Sequence, residues 1–394
     1  MKLLIATPLY PPEAGGPASY SYALEQGLPS RGIEIVLVPF SRVGHLPKGV
    51  KHVAYAYQLI RAGFSCNAIL ALDPVSVGLP AWVASFIIRK PFFVKIVGDY
   101  AWEQGRQRHR MWLPLDEFVQ TKQVPFPTYL LRRVQTFVAH RAKRIIVPSN
   151  YLKSIVETWG LTPERIVVIH NAVPVKTPGE LASVVAETPT PRIVTAGRLV
   201  PWKGINGLIT AMVTVRERIP NATLIIVGDG PERGVLEKYA KARLPESAVI
   251  FTGVQEPEVA LATYATSDVF VLNSTYEGLS HILIEAMSLG RPIVASRAGG
   301  NTELIEDQKT GLLVSVGDSE KLAELIIELC QNTEKAGHLA RTAKERSLDF
   351  SQEHMLDATA TFLAEMTGTS LSTPQSVPSE TPAEEQPPMS PLSF

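Results

Sequence analysis

The sequence predicts an α/β protein of two doubly wound parallel-sheet domains facing a central cleft. Short β-branched runs alternate with helical patterns along almost the whole chain, which implies parallel βαβ units. The alternation begins afresh near residue 192, after a proline-rich stretch. At 394 residues the chain exceeds one ordinary domain and is long enough for two buried cores.

The elements follow in order. MKLLIATPLYPP has one lysine and a short apolar run ended by prolines, with no cleavage pattern, and reads as a first buried strand rather than a leader. A helix over 17 to 29 comes next, then the strands IEIVLVPF, NAILALD and FFVKIVG. The run PVSVGLPAWVASFII, 74 to 88, is broken by Pro80 and ends at Arg89 and Lys90, short of a membrane span. A long helical pattern over 128 to 144 leads to RIIVPS and RIVVIHN, which complete a first domain over 1 to 172. Residues 173 to 191, with four prolines and no sustained period, form the interdomain connection. A second Rossmann-like domain over 192 to 348 holds RIVTAG, TLIIVGDG, AVIFTG, DVFVLNS, PIVAS and GLLVSVG. A last helix falls within 349 to 367, and the Pro-, Ser- and Thr-rich tail, 368 to 394, has too little apolar surface to fold.

Composition narrows the function. Lys+Arg and Asp+Glu balance at 38 each, yet residues 1 to 172 hold 20 basic and 10 acidic side chains and the remainder 18 and 28. The first half is therefore expected to meet something anionic. Cys66 and Cys330 stand without a CxxC pair or a nearby histidine cluster, so neither a disulfide framework nor a zinc site is indicated and a reducing compartment fits.

Within YEGLSHILIEAMSLGRPIVAS, 276 to 296, Glu277 leaves the carboxyl end of a buried strand, and Ser280 caps a helix stopped by Gly290 and Pro292. Ligands bind at that end of a parallel sheet. On the helix His281, Glu285 and Ser288 share one stripe, so Glu277 and Glu285 can face one ligand, and a carboxylate suits a ribose diol. Taken alone, Glu285 reads more simply as a solvated glutamate on an amphipathic helix.

The Glu-x7-Glu pattern, followed by Ala298-Gly299-Gly300 and accompanied by GGPASY, VPSNYLK, VIHNAV, AGRLVPWKG and VGDGPER, resembles glycosyltransferase family 4. These are retaining, nucleotide-sugar-dependent enzymes of GT-B architecture, and the resemblance spans nearly all of the chain except the tail. It implies that Arg198 and Lys203 contact the donor diphosphate and that Gly16 approaches it from across the cleft. It further implies that Glu285 holds the ribose, that Glu277 lies at the donor sugar, and that amides near Gly278, Leu279 and Ser280 hold the phosphates. Gly228 and Gly230 would lie near the nucleotide. Independently, Lys203 at a helix amino end opposes the helix dipole unless an anion binds there. Gly15 and Gly16 allow close backbone approach, though a plain tight turn also explains them. VGDGPERG lacks the spacing of an NAD fingerprint.

One departure stands out. Where the family commonly carries a His-Asp pair, this chain has Gly98-Asp99, which makes Asp99 the candidate polar group on the catalytic face; an aspartate holding a turn is the plainer alternative.

The resulting expectation is a metal-independent hexosyltransferase with no cofactor beyond its nucleotide-diphosphate sugar donor, acting in polysaccharide or glycolipid synthesis. A nucleotide-sugar 2-epimerase on the same architecture and a non-catalytic sugar-nucleotide binding module are the alternatives. The acceptor is a saccharide or polyprenyl-linked sugar, with no nucleic acid partner. Residues 106 to 144 hold nine basic side chains against Asp116 and Glu117, with aromatics among them, so a cytoplasmic protein peripheral to an anionic membrane surface is expected. On the helix over 128 to 144, Leu130, Leu131, Val134, Phe137 and Val138 form an apolar stripe that a buried face would explain.

Overall fold

The computed structural model describes residues 1–369 apart from 14, 48, 110, 112 and 174–176. The tail expected to stay unfolded lies outside the described residues from 370 onward, as do Arg110 and Trp112 of the basic stretch.

Each half folds around a six-stranded parallel sheet. The first comprises β1 (Lys2–Thr7), β2 (Glu34–Pro39), β3 (Ala68–Ala71), β4 (Phe92–Lys95), β5 (Arg144–Val147) and β6 (Ile166–Val168), in the order β2-β1-β3-β4-β5-β6. The second comprises β7 (Arg192–Ala196), β8 (Thr223–Val227), β9 (Val249–Gly253), β10 (Val269–Leu272), β11 (Ile293–Ser296) and β12 (Leu312–Val314), in the order β12-β11-β10-β7-β8-β9. The central strands are apolar on both faces because helices cover both sides: Leu3, Leu4, Ile5, Val269, Phe270 and Val271 are wholly buried.

The order in which parallel strands are added to each sheet reverses between β1 and β3 and between β7 and β10. At such switch points the loops leaving adjacent strands diverge and open a crevice at the carboxyl ends. The loops after β1, β7 and β10, which carry Gly16, Arg198 and Glu277, leave from these two points.

Two features tie the halves together. Trp202 and Tyr276, from loops of the second half, pack into the core of the first beside Trp102, with ring centroids 5.7 and 4.7 Å from it. The last helix, Gln352–Thr367, crosses back to the first domain, where Met355, Leu356, Phe362 and Leu363 join the cluster around Leu3, Leu24 and Phe93. Arg31 fixes its start by ion pairs of 2.6 Å to Glu353 and Asp357. Outgoing and returning chain meet where Val173 bridges Ser351.

The helix expected over 128 to 144 runs from Phe126 to Arg141 and buries part of the expected apolar stripe: Val138 is wholly buried, and Leu131 and Val134 pack on the first core. Its buried residues are Thr128, Gln135, Val138 and Ala139, whereas Leu130 is 53% and Phe137 37% exposed. The polar Gln135 turns inward because its side-chain carbonyl accepts from the Ala101 amide.

Candidate functional site

A cavity of about 340 Å³ opens between the two sheets, lined from the first domain by Gly16, Tyr20, Lys95, Glu103 and Asn171 among others. The second domain contributes Trp202, Lys203, the run Tyr276 to Ser280, and His281.

Its centre is an ion pair. Lys203 follows β7 in a short 3-10 turn, Pro201–Lys203, and its Nζ donates to Glu277 Oε1 at 2.6 Å. Ser274 Oγ donates to the same oxygen at 2.6 Å. Gly204 ends the turn at φ 62°, and a Cβ there would lie 2.1 Å from Asn273 O, so the lysine loop rests directly on the loop after β10. Beneath Glu277 and Gly278 lie two more glycines: a Cβ at Gly299 would meet Glu277 O at 2.1 Å, and one at Gly300 would meet Gly278 O at 2.3 Å. Gly278 itself touches the first domain, accepting from Ser149 Oγ at 2.6 Å. Small residues are needed here because backbone approaches backbone.

Ser280 caps the helix His281–Ser288 by accepting from the Leu283 amide, so the helix amino end faces the cavity. Opposite stands the amino end of the helix Gly16–Gly27, where nothing lies within 4 Å of a Cβ added to Gly16. Two helix amino ends on one cavity, with Lys203 between them, create a positive field suited to an anion. His281 adds no charge at neutral pH: burial first, then the nearby Lys95 cation, lowers it to about 4, against the opposing pull of Glu277.

Three buried polar atoms on residues that line this cavity have no hydrogen-bond partner among the described residues: Lys95 Nζ, Asn171 Oδ1 and Tyr276 Oη. Orphaned buried groups are costly, and three around one opening indicate a polar ligand.

The remaining candidates fall elsewhere. Arg198 is exposed on the loop after β7, and its charge reaches the Glu103 carboxyl. Gly228 and Gly230 do not line the cavity; a Cβ at either would meet Gly197 O at 2.1 Å or Leu199 O at 2.4 Å, so they clasp the loop that bears Arg198. Glu285 lines a smaller cavity with Leu261, Ser288 and Phe350. Asp99 caps the helix Tyr100–Arg108 by accepting from the Trp102 amide and lines a different cavity with Arg132.

Sequence reasoning missed Lys95 and Glu103. A Cβ at Gly98 would lie 2.5 Å from Glu103 Oε1 and 3.2 Å from Tyr276 Oη. The Glu103 carboxyl thus fills the space a larger residue at 98 would occupy. Burial, reinforced by the charges of Asp99 and Asp73, pushes it up to about 7. The available signals were a lysine closing the apolar strand FFVK and a glutamate one turn beyond Asp99.

Two Rossmann-like domains with facing switch points and an anion-seeking cleft define the GT-B class. Residues 4–172 match the family described as glycosyl transferase 4-like domain, and residues 180–346 match glycosyl transferases group 1; the chain belongs to this family. Among curated relatives it is 33% identical over 162 residues to a GDP-mannose-dependent alpha-(1-6)-phosphatidylinositol monomannoside mannosyltransferase of Mycobacterium tuberculosis, covering 39% of this chain and 42% of that protein. It is 33% identical over 175 residues to the lipopolysaccharide core biosynthesis glycosyltransferase LpsE of Rhizobium meliloti, covering 44% and 50%. The chain thus spans about half or less of the length of these relatives. Its fold is similar to that of Anabaena HepE in complex with UDP-glucose, with a TM-score of 0.73, 22% identity, and coverage of 93% of this chain and 100% of that one.

Proposed function

We propose that the protein is a retaining glycosyltransferase that moves a hexose from a nucleoside-diphosphate donor to an acceptor hydroxyl in polysaccharide or glycolipid synthesis. The observation that carries this reading is the Lys203–Glu277 pair facing the amino end of the Gly16 helix across a cavity whose lining residues hold three orphaned polar atoms. Family membership and relatives named for such transfers support it.

In the proposed reaction the anomeric carbon loses its bond to the diphosphate as the acceptor oxygen bonds on the same face. The acceptor proton passes to the departing phosphate oxygen, so the protein supplies position and charge rather than a nucleophile. Lys203 and Arg198 offset charge on the leaving group, and Glu277 engages the sugar once the donor draws Lys203 toward its phosphates. Glu285, which lines the smaller cavity one turn beyond His281, would take the ribose where the nucleoside extends past the diphosphate. The amides of Gly278 to Ser280 would hold the phosphates. No Asp-x-Asp motif marks the donor loops, and activity is expected to survive EDTA.

The acceptor side is read as a polyprenyl-diphosphate-linked sugar at the cytoplasmic face of an anionic membrane. Phe126, Tyr129, Leu130 and Phe137 stand exposed on one helix with Arg133 and Arg141, next to exposed Phe86 and Ile87, and Trp82 packs on Phe137 at 4.9 Å. Aromatics interleaved with arginines suit a lipid headgroup region. No helix among the described residues is long and apolar enough to cross a membrane.

The test is incubation with a panel of nucleotide sugars and polyprenyl-linked acceptors, reading nucleotide release and the product anomer by NMR. A product with the donor's anomeric configuration, formed with EDTA present, is expected. An inverted product would overturn retention, and donor interconversion without acceptor would replace the transferase reading by an epimerase.

A further inference from the structure

Lys95 ends β4 with its side chain 1% exposed and directed into the cleft. Its Nζ lies 4.0 Å from the centroid of the Tyr20 ring and has no hydrogen-bond partner among the described residues. A buried ammonium left so is expensive, and cation–π contact recovers only part of its lost hydration. The same cavity wall carries Asn171 Oδ1, also without a partner among the described residues, and the open amino end of the twelve-residue helix Gly16–Gly27. The one carboxylate bonded to a cleft lysine, Glu277, is bonded to Lys203.

From this arrangement we infer that Lys95, Tyr20 and the amino end of the Gly16 helix form an anion subsite on the first-domain wall, separate from Arg198 and Lys203, that binds a phosphate or carboxylate group. The inference rests on the cleft being the ligand site of a glycosyltransferase. The ammonium would donate to an anionic oxygen and Gly16 would add its amide, with the Tyr20 ring held against the ammonium. Burial lowers Lys95 to about 7, so an arriving anion would also hold the lysine protonated. Two sources offer this chemistry: the donor diphosphate and an anionic group on the acceptor.

The test compares wild type, Lys95→Met and Lys203→Met by thermal shift and calorimetry. Probes are UDP, GDP and ADP, and inorganic phosphate with and without a saturating nucleotide. Lys95→Met removes an unpaired buried charge, so its ligand-free melting temperature should rise while affinity for at least one probe falls about tenfold or more. Loss for a nucleoside diphosphate assigns the donor phosphate; loss confined to inorganic phosphate on nucleotide-saturated protein assigns the acceptor group. If Lys95→Met does not fold, Lys95→Gln carries the same decision. Binding of every probe within about twofold of wild type overturns the subsite. Nucleotide binding that depends on Lys203 but not on Lys95 would leave the glycosyltransferase reading standing without it. Lys95-dependent phosphate binding without any nucleotide binding would do the reverse, and binding of no probe would overturn both.

Discussion

At Lys203 a single side chain joins two roles, because its ammonium now neutralises Glu277 at 2.6 Å and would face phosphate when a donor is bound. Replacing Lys203 or Arg198 by Ala should lower turnover on the order of 100-fold or more, since charge that acts as the leaving group departs is lost. Steady-state kinetics with saturating donor checks this, and a change confined to KM would assign the cations to ground-state binding only. Glu103 gives a second residue-scale expectation. Its carboxyl is raised from 4.5 to about 7, chiefly by burial, so the folded state keeps a proton that the unfolded chain releases. The stability this confers is fully present below about 4.5 and is lost as pH rises through about 7. Glu103→Gln should flatten that decline, read as urea midpoints between about pH 5 and about pH 8. An unchanged decline would place the titration elsewhere. Lys203 and Glu277 were legible because each closes a strand-loop motif of fixed spacing. Glu103 was not, because what brings it to the cleft is the void at Gly98, a fact of packing rather than of pattern.

Among the elements, the strands were the most legible: all twelve expected runs form strands, since apolar β-branched segments bounded by turns have one way to be buried between helices. The helix Phe126–Arg141 was the least. Of its apolar stripe Leu131, Val134 and Val138 pack on the core while Leu130 and Phe137 stand exposed, and Thr128 and Gln135 go inward through hydrogen bonds that no periodicity encodes, to His109 and to the Ala101 amide. The outward face carries Phe126, Leu130, Arg133, Phe137 and Arg141. Sedimentation with anionic vesicles should therefore fall when Arg133 and Arg141 are reversed to Glu, at about 1 kcal/mol per charge, and should weaken with salt. Equal, negligible binding to neutral and anionic vesicles would favour an acceptor free in solution.

Across the whole molecule, the cleft depends on a helix far from it in sequence. Gln352–Thr367 returns to the first domain, where Leu356 lies so close to Gly27 that a Cβ there would meet its Cδ1 at 2.2 Å. Leu356→Ala should cost about 2 to 5 kcal/mol, the range for a wholly packed leucine, and calorimetric melting should show the first domain losing stability. An unaltered melt would mean that this helix is dispensable to the first core. The helix itself was legible from its period, but its destination was not, because nothing in an amphipathic pattern says which domain receives it. The same holds for Trp202 and Tyr276, whose burial in the opposite core draws the two switch points together around one cavity. That this cavity holds a nucleotide-sugar donor is the central claim. It is tested most directly by calorimetric titration of the nucleotide sugar that wild type binds most tightly into Glu277→Gln and Lys203→Ala. Both variants should keep the wild-type circular dichroism and lose about 1.5 to 3 kcal/mol of donor affinity, the worth of hydrogen bonds to charged groups. Wild-type affinity in both folded variants would contradict it.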